Sequence, residues 1–98
     1  YRKGARNEYR SMRLLEAEGY LCVRSAGSHS PFDLVAISRS HIVLVQCKTN
    51  GWPSPAECET LRSIPVPEHT IKLVHRWNDR SSLPVVKELA STPMVDED

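Results

Sequence analysis

Near the start of the chain, apolar residues recur at steps of three and four: Ala5, Tyr9, Met12 and Leu15. That spacing gathers them on one side of a helix and predicts an amphipathic α-helix over 5–18, with Gly19 in the left-handed position that commonly ends one. The pattern then shortens into runs of strand length. Tyr20 to Ser25, Phe32 to Ile37 and His41 to Cys47 read as strands, with the Gly- and Ser-rich segment Ala26 to Pro31 as a loop. Asn50 to Pro53 is a turn. Ser54-Pro55-Ala56-Glu57 has the form of a helix start, with Ser as N-cap, Pro in the first position and Glu at the third as a capping box, and the helix runs to about Ser63. Pro65 and Pro67 close it. Thr70 to Trp77 alternates as a strand, Asn78 to Leu83 turns the chain, and Val85 to Leu89 supplies the last strand. The order α β β β α β β predicts an α/β fold with one mixed central sheet flanked by helices. It forms a single domain over 1–92, followed by an acidic, flexible tail over 93–98.

Register brings chemistry into this pattern. A hairpin centred on Arg39 and Ser40 pairs 38 with 41, and counting outward sets Asp33 across from Gln46. Directly opposed residues share a face with Cβ atoms about 4.5–5.5 Å apart, and Lys48 joins them because side chains alternate along a strand. Mg²⁺, for which Mn²⁺ commonly substitutes, prefers oxygen ligands and is usually held by few protein carboxylates together with phosphate oxygens. Asp33 offers a carboxylate, Gln46 an amide oxygen and Cys47 its backbone carbonyl. Glu8 can approach from the first helix as a ligand acting through water. Lys48 would orient or deprotonate an attacking water and balance charge growing on a phosphate. The plainer alternative is a surface ion pair between Asp33 and Lys48, worth under about 1 kcal/mol.

Composition narrows the setting. The 98 residues are 40% hydrophobic and 26% charged, and no apolar run approaches the roughly 18 residues of a membrane span. With no secretory segment, the expectation is an intracellular protein, cytoplasmic or nucleoid-associated. Cys22, Cys47 and Cys58 are odd in number and lack CxxC spacing, so they read as buried thiols and not as a zinc site or disulfide framework. A net charge of +1 hides an asymmetry: residues 1–48 hold eight Lys and Arg against four acids. A basic first half suits phosphate contacts, and equally the solvated face of a helix. His29 and His41 are open to either phosphate contact or plain exposure, and His69 and His75 carry no argument. Trp52 and Trp77 are open to base stacking or to packing in a core or dimer.

Taken together, Arg2-Lys3-Gly4, Glu8, Gly19-Tyr20, Val23-Arg24-Ser25-Ala26-Gly27-Ser28, Phe32-Asp33-Leu34-Val35-Ala36 and Val45-Gln46-Cys47-Lys48 resemble the archaeal Holliday junction resolvases of the PD-(D/E)xK nuclease superfamily. The likeness covers about the first half of the chain. It implies a restriction-endonuclease-like core and a homodimer that cuts branched DNA. Glu8, Asp33, Gln46 and Lys48 take the catalytic positions, and Ser25 to Ser30, including Ser28, form a loop that meets the DNA backbone. By the same likeness Arg2, Lys3 and Arg6 would bind phosphates, with Arg10 and Arg24 beside them. Gln46 departs from the family's usual glutamate, which removes one negative charge while keeping an oxygen ligand. Two alternatives stay open: a restriction-like, homing or repair nuclease with another DNA specificity, and a DNA-binding module that has lost catalysis through this change.

Overall fold

A computed structural model describes residues 3–25 and 30–91, with side chains from Ala5 onward. Its elements follow the expected order: α1 (Lys3–Ala17), β1 (Leu21–Arg24), β2 (Leu34–Ile37), β3 (Ile42–Thr49), α2 (Pro55–Ser63), β4 (Thr70–Trp77) and β5 (Val85–Leu89). The strands form one sheet in sequence order, in which β3 and β4 are parallel and every other pair antiparallel. The parallel pair requires a crossover, and α2 is that crossover.

Helix ends are closed by local chemistry. Gly19, at φ 98°, takes the left-handed turn after α1. Its N–H donates to the Glu16 carbonyl at 2.9 Å while the Tyr20 N–H reaches the Leu15 carbonyl at 3.1 Å, which is the Schellman pattern. At the start of α2 the Ser54 hydroxyl accepts from the Glu57 N–H at 3.1 Å, and the Glu57 carboxylate accepts from the Ser54 N–H at 3.2 Å, the reciprocal capping box.

Two clusters fill the two faces of the sheet. On the α1 side Leu15 packs with Leu34, Ala36, Val43 and Val45; on the α2 side Phe32, Leu61, Val74 and Leu89 pack together with Leu44 and Cys58. Alternation along β3 assigns its odd residues to the first cluster and its even residues to the second. The α1 interface is more polar than its apolar spacing implies. Asn7 and Ser11 are buried ahead of Leu15, whereas Tyr9 is only partly covered. The reason lies in their partners: the Asn7 amide donates to Thr49 Oγ1 at 2.9 Å, and Ser11 Oγ lies 2.8 Å from both His75 Nδ1 and Trp77 Nε1. Trp77 Nε1–H and the Cys47 thiol donate to Ser11, leaving the serine proton for a neutral His75 ring. Burial pushes the His75 pKa down to about 4.

Lys72, fully buried on the α2 face of β4, donates to the carbonyls of Leu61, Arg62 and Ile64 at 2.7, 3.0 and 2.7 Å. It thereby satisfies the C-terminal carbonyls of α2, which otherwise lack intrahelical partners. Because α2 lies over β3 to β5, the same face of β1 and β2 is left without a helix, and Leu21, Val23 and Ile37 are exposed there. Among the described residues no helix is long and apolar enough to cross a membrane.

Candidate functional site

The β2–β3 hairpin has the register read from sequence, through Ile37↔Ile42 to Leu34↔Val45. It stops one pair short of the expected Asp33–Gln46 pairing, and β2 is correspondingly shorter than Phe32 to Ile37. At this point the Asp33 N–H donates to the Val45 carbonyl at 2.8 Å, and the Cys47 N–H donates to Asp33 Oδ2 at 2.7 Å. A continuing ladder would have offered Cys47 the Phe32 carbonyl, but that carbonyl accepts from Ser25 Oγ at 2.6 Å. The Ser25 N–H also donates to the Asp33 carbonyl at 2.9 Å, and Ser30 Oγ accepts from the Phe32 N–H at 3.2 Å. Ser25 and Ser30, expected to meet DNA, thus also shape the backbone that carries Asp33.

Asp33 stands between two ion pairs. Toward α1, Glu8 Oε1 meets Arg24 at 2.8 Å, and the Arg24 guanidinium lies 4.5 Å from the centre of the Tyr9 ring. Toward α2, Lys48 Nζ meets Glu57 Oε2 at 3.2 Å. Burial and then the Glu8 charge raise the Asp33 pKa, against the Cys47 N–H, Lys48 and Arg24, which lower it. The carboxylate is poised to gain from a positive partner. Lys48 takes Glu57 as its ion-pair partner, a residue that sequence had placed only in a helix cap. The signal that could have found it is the β3–α2–β4 crossover, which returns the first turn of α2 over the end of β3.

Gln46 sits on the α2 face in a cavity of about 270 Å³ shared with Pro31, Glu57, Thr60 and Leu61. Its Oε1 is buried with no hydrogen-bond partner among the described residues. An orphaned amide oxygen is costly unless something binds it. Asp33 offers a carboxylate and Gln46 an amide oxygen, donors of the kind a hard divalent cation such as Mg²⁺ takes, with less charge than two carboxylates would supply. Among the described residues no cluster of three His, Cys, Asp or Glu suits a metal ion. The Cys47 thiol, raised by burial to about 12, is an inert neighbour.

The remaining expected contacts divide. Arg2, the side chain of Lys3, and Ser28 with its loop lie outside the described residues, as does the acidic tail. Arg6 is exposed beside a cavity of about 390 Å³ between α1 and the β4–β5 turn, which Arg80 also lines. Arg10 is already engaged: its guanidinium lies 3.9 Å from the Trp77 ring centre and donates to Asn7 Oδ1 at 3.1 Å and the Ser81 carbonyl at 2.7 Å. Trp77 is core, whereas Trp52 is 39% exposed near Arg76 and Lys87. His41 bonds to Tyr20, Ser38 and Ser40 at the far end of the hairpin from Asp33.

A mixed sheet with one parallel crossover and an acid–lysine pair at the end of its central hairpin defines a restriction-endonuclease-like α/β core. Residues 1–55 match the family model described as archaeal Holliday junction resolvase (hjc). The match spans more than half of the chain, and the chain belongs to that family. It is also 44% identical over 51 residues to the crossover junction endodeoxyribonuclease Hjc of Methanocaldococcus jannaschii, an alignment covering 52% of this chain and 38% of that protein.

Proposed function

We propose that the chain is a Mg²⁺-dependent DNA endonuclease, also served by Mn²⁺, that hydrolyses phosphodiester bonds in branched DNA such as Holliday junctions. The observation that carries this reading is the buried Gln46 Oε1, without a hydrogen-bond partner among the described residues, at the end of the hairpin that mounts Asp33, in a chain of the resolvase family. Asp33 and Gln46 hold the cation, with the Cys47 carbonyl and, through water, Glu8 completing the protein donors. When bound, Mg²⁺ supplies Lewis acidity toward a phosphate oxygen. Lys48 orients the attacking water and places positive charge where the phosphate accumulates negative charge. Arg24 holds Glu8 at the site through their ion pair. Arg2, Lys3, Arg6, Arg24 and the Ser25 to Ser30 segment carry the DNA backbone, with Arg10 bracing the helix beneath them.

Cutting two strands of a junction calls for two sites, so the working form is a homodimer. The uncovered apolar face at Leu21, Val23 and Ile37 supports such an assembly. The loss of charge at Gln46 favours one second reading, a DNA-binding module without catalysis. Cleavage of a synthetic four-way junction and a matched linear duplex with Mg²⁺ or Mn²⁺ separates these readings. The expected result is junction-selective nicking by the wild type and none by Asp33→Ala. Activity appearing only in Gln46→Glu would select the binding module, and equal cutting of both DNAs would select a nuclease of another specificity.

A further inference from the structure

We propose that Glu57 is the positioning residue for Lys48, so that the first turn of α2 belongs to the nuclease site and not only to the scaffold. The proposal rests on the nuclease reading above. Glu57 divides its two oxygens between two tasks: Oε1 accepts from the Ser54 N–H at 3.2 Å and Oε2 from Lys48 Nζ at 3.2 Å. The capping box fixes where the carboxylate stands, and the carboxylate in turn fixes the ammonium.

Charge explains why the arrangement is needed. Lys48 reaches the N-terminal end of α2, where the helix presents partial positive charge and disfavours a cation. Glu57 offsets that repulsion. Glu57, its side chain 49% exposed, lines the cavity that holds Gln46, and Lys48, 32% exposed, reaches that carboxylate from the end of β3. A lysine side chain has four rotatable bonds and loses considerable freedom when held in one place. A partner prefixed by a helix cap does that holding before DNA arrives, and preorganised charge is what favours a transition state over a ground state. Because position 46 carries an amide, Glu57 is also a carboxylate in the cavity where the family pattern would have placed one on the strand.

The two tasks of Glu57 can be separated, because glutamine at the third helical position still closes a capping box. Glu57→Gln therefore keeps the cap and removes the ion pair, whereas Glu57→Ala removes both. Three quantities are to be measured on wild type and both variants: the single-turnover cleavage rate on a four-way junction, the junction Kd with Ca²⁺, and the thermal midpoint. A fourth is the ¹³C-methyl resonance of reductively methylated Lys48, assigned by its absence from Lys48→Arg. Positioning predicts that both variants lose about tenfold in rate at unchanged Kd, that only Glu57→Ala melts earlier, and that the Lys48 resonance moves in both. A purely structural cap predicts a normal rate and an unmoved resonance for Glu57→Gln, and either result overturns the proposal. If no protein cleaves any DNA, including wild type, the nuclease reading fails on its own. The resonance then decides alone whether Glu57 holds Lys48.

Discussion

Each end of α2 meets a lysine from the same face of the sheet, and the two meetings differ in every respect that matters. Lys72 lies under the C-terminal end, fully buried, with three carbonyls as partners and the negative end of the helix dipole above it. Lys48 reaches the N-terminal end, one-third exposed, with a single carboxylate as partner. The first is satisfied within the protein and has nothing left to offer a ligand. The second is held by a residue that lines the cavity of Gln46, whose Oε1 is unsatisfied among the described residues, and it acts on the charge of Asp33, a carboxylate whose pKa burial raises. Two residues of one type on adjacent parallel strands thus serve architecture and, on the proposed reading, chemistry, and the number and kind of their partners distinguish them.

The sharpest way to break this contrast is to exchange the outcomes. Lys48→Ala is expected to lower the single-turnover rate by roughly 10²–10³-fold, about 3–4 kcal/mol at the transition state. Its unfolding midpoint should stay close to wild type, since an exposed ion pair contributes little stability. Lys72→Met is expected to do the reverse: about 3 kcal/mol lost in urea unfolding, from three helix-end carbonyls that lose the ammonium, with cleavage per folded molecule retained.

Two further outcomes sharpen the structural half. Burial lowers the His75 pKa to about 4 from its usual 6.5, so between those values the unfolded chain binds a proton that the folded chain refuses. Stability is complete above pH 6.5 and falls as pH drops toward 4, by about 2 kcal/mol at pH 5. A His75→Gln chain should lose less over the same interval when both are unfolded in urea at pH 7 and pH 5. The smallest effect belongs to the cap: Ser54→Ala should lower stability by about 1 kcal/mol, read from its thermal midpoint.

Much of the fold was legible because its signals are local. Gly19, the Ser54 to Glu57 cap and the alternation in β4 each act through nearest neighbours, and β4 and β5 have the predicted bounds. Asp33, Gln46 and Lys48 could be brought to one sheet end because a short hairpin determines its own register. What stayed hidden depends on contacts far apart in sequence. Nothing local says that Ser11 will meet His75 and Trp77, that Arg10 will be spent on the β4–β5 turn, or that Lys72 will cap α2. The last departure is subtler. A two-residue hairpin would carry its ladder on to Asp33, but Ser25 draws away the Phe32 carbonyl, and the aspartate side chain takes the bond that carbonyl would have made.

On the proposed reading this sheet end performs metal-dependent phosphodiester hydrolysis through Lys48, while Lys72 only builds the helix above it. Single-turnover cleavage of a ³²P-labelled four-way junction with Mg²⁺ by wild type, Lys48→Ala and Lys72→Met tests it in one gel. Paired nicks are expected from wild type and Lys72→Met and none from Lys48→Ala. Undiminished cutting by Lys48→Ala, or an intact junction in every lane, would contradict it.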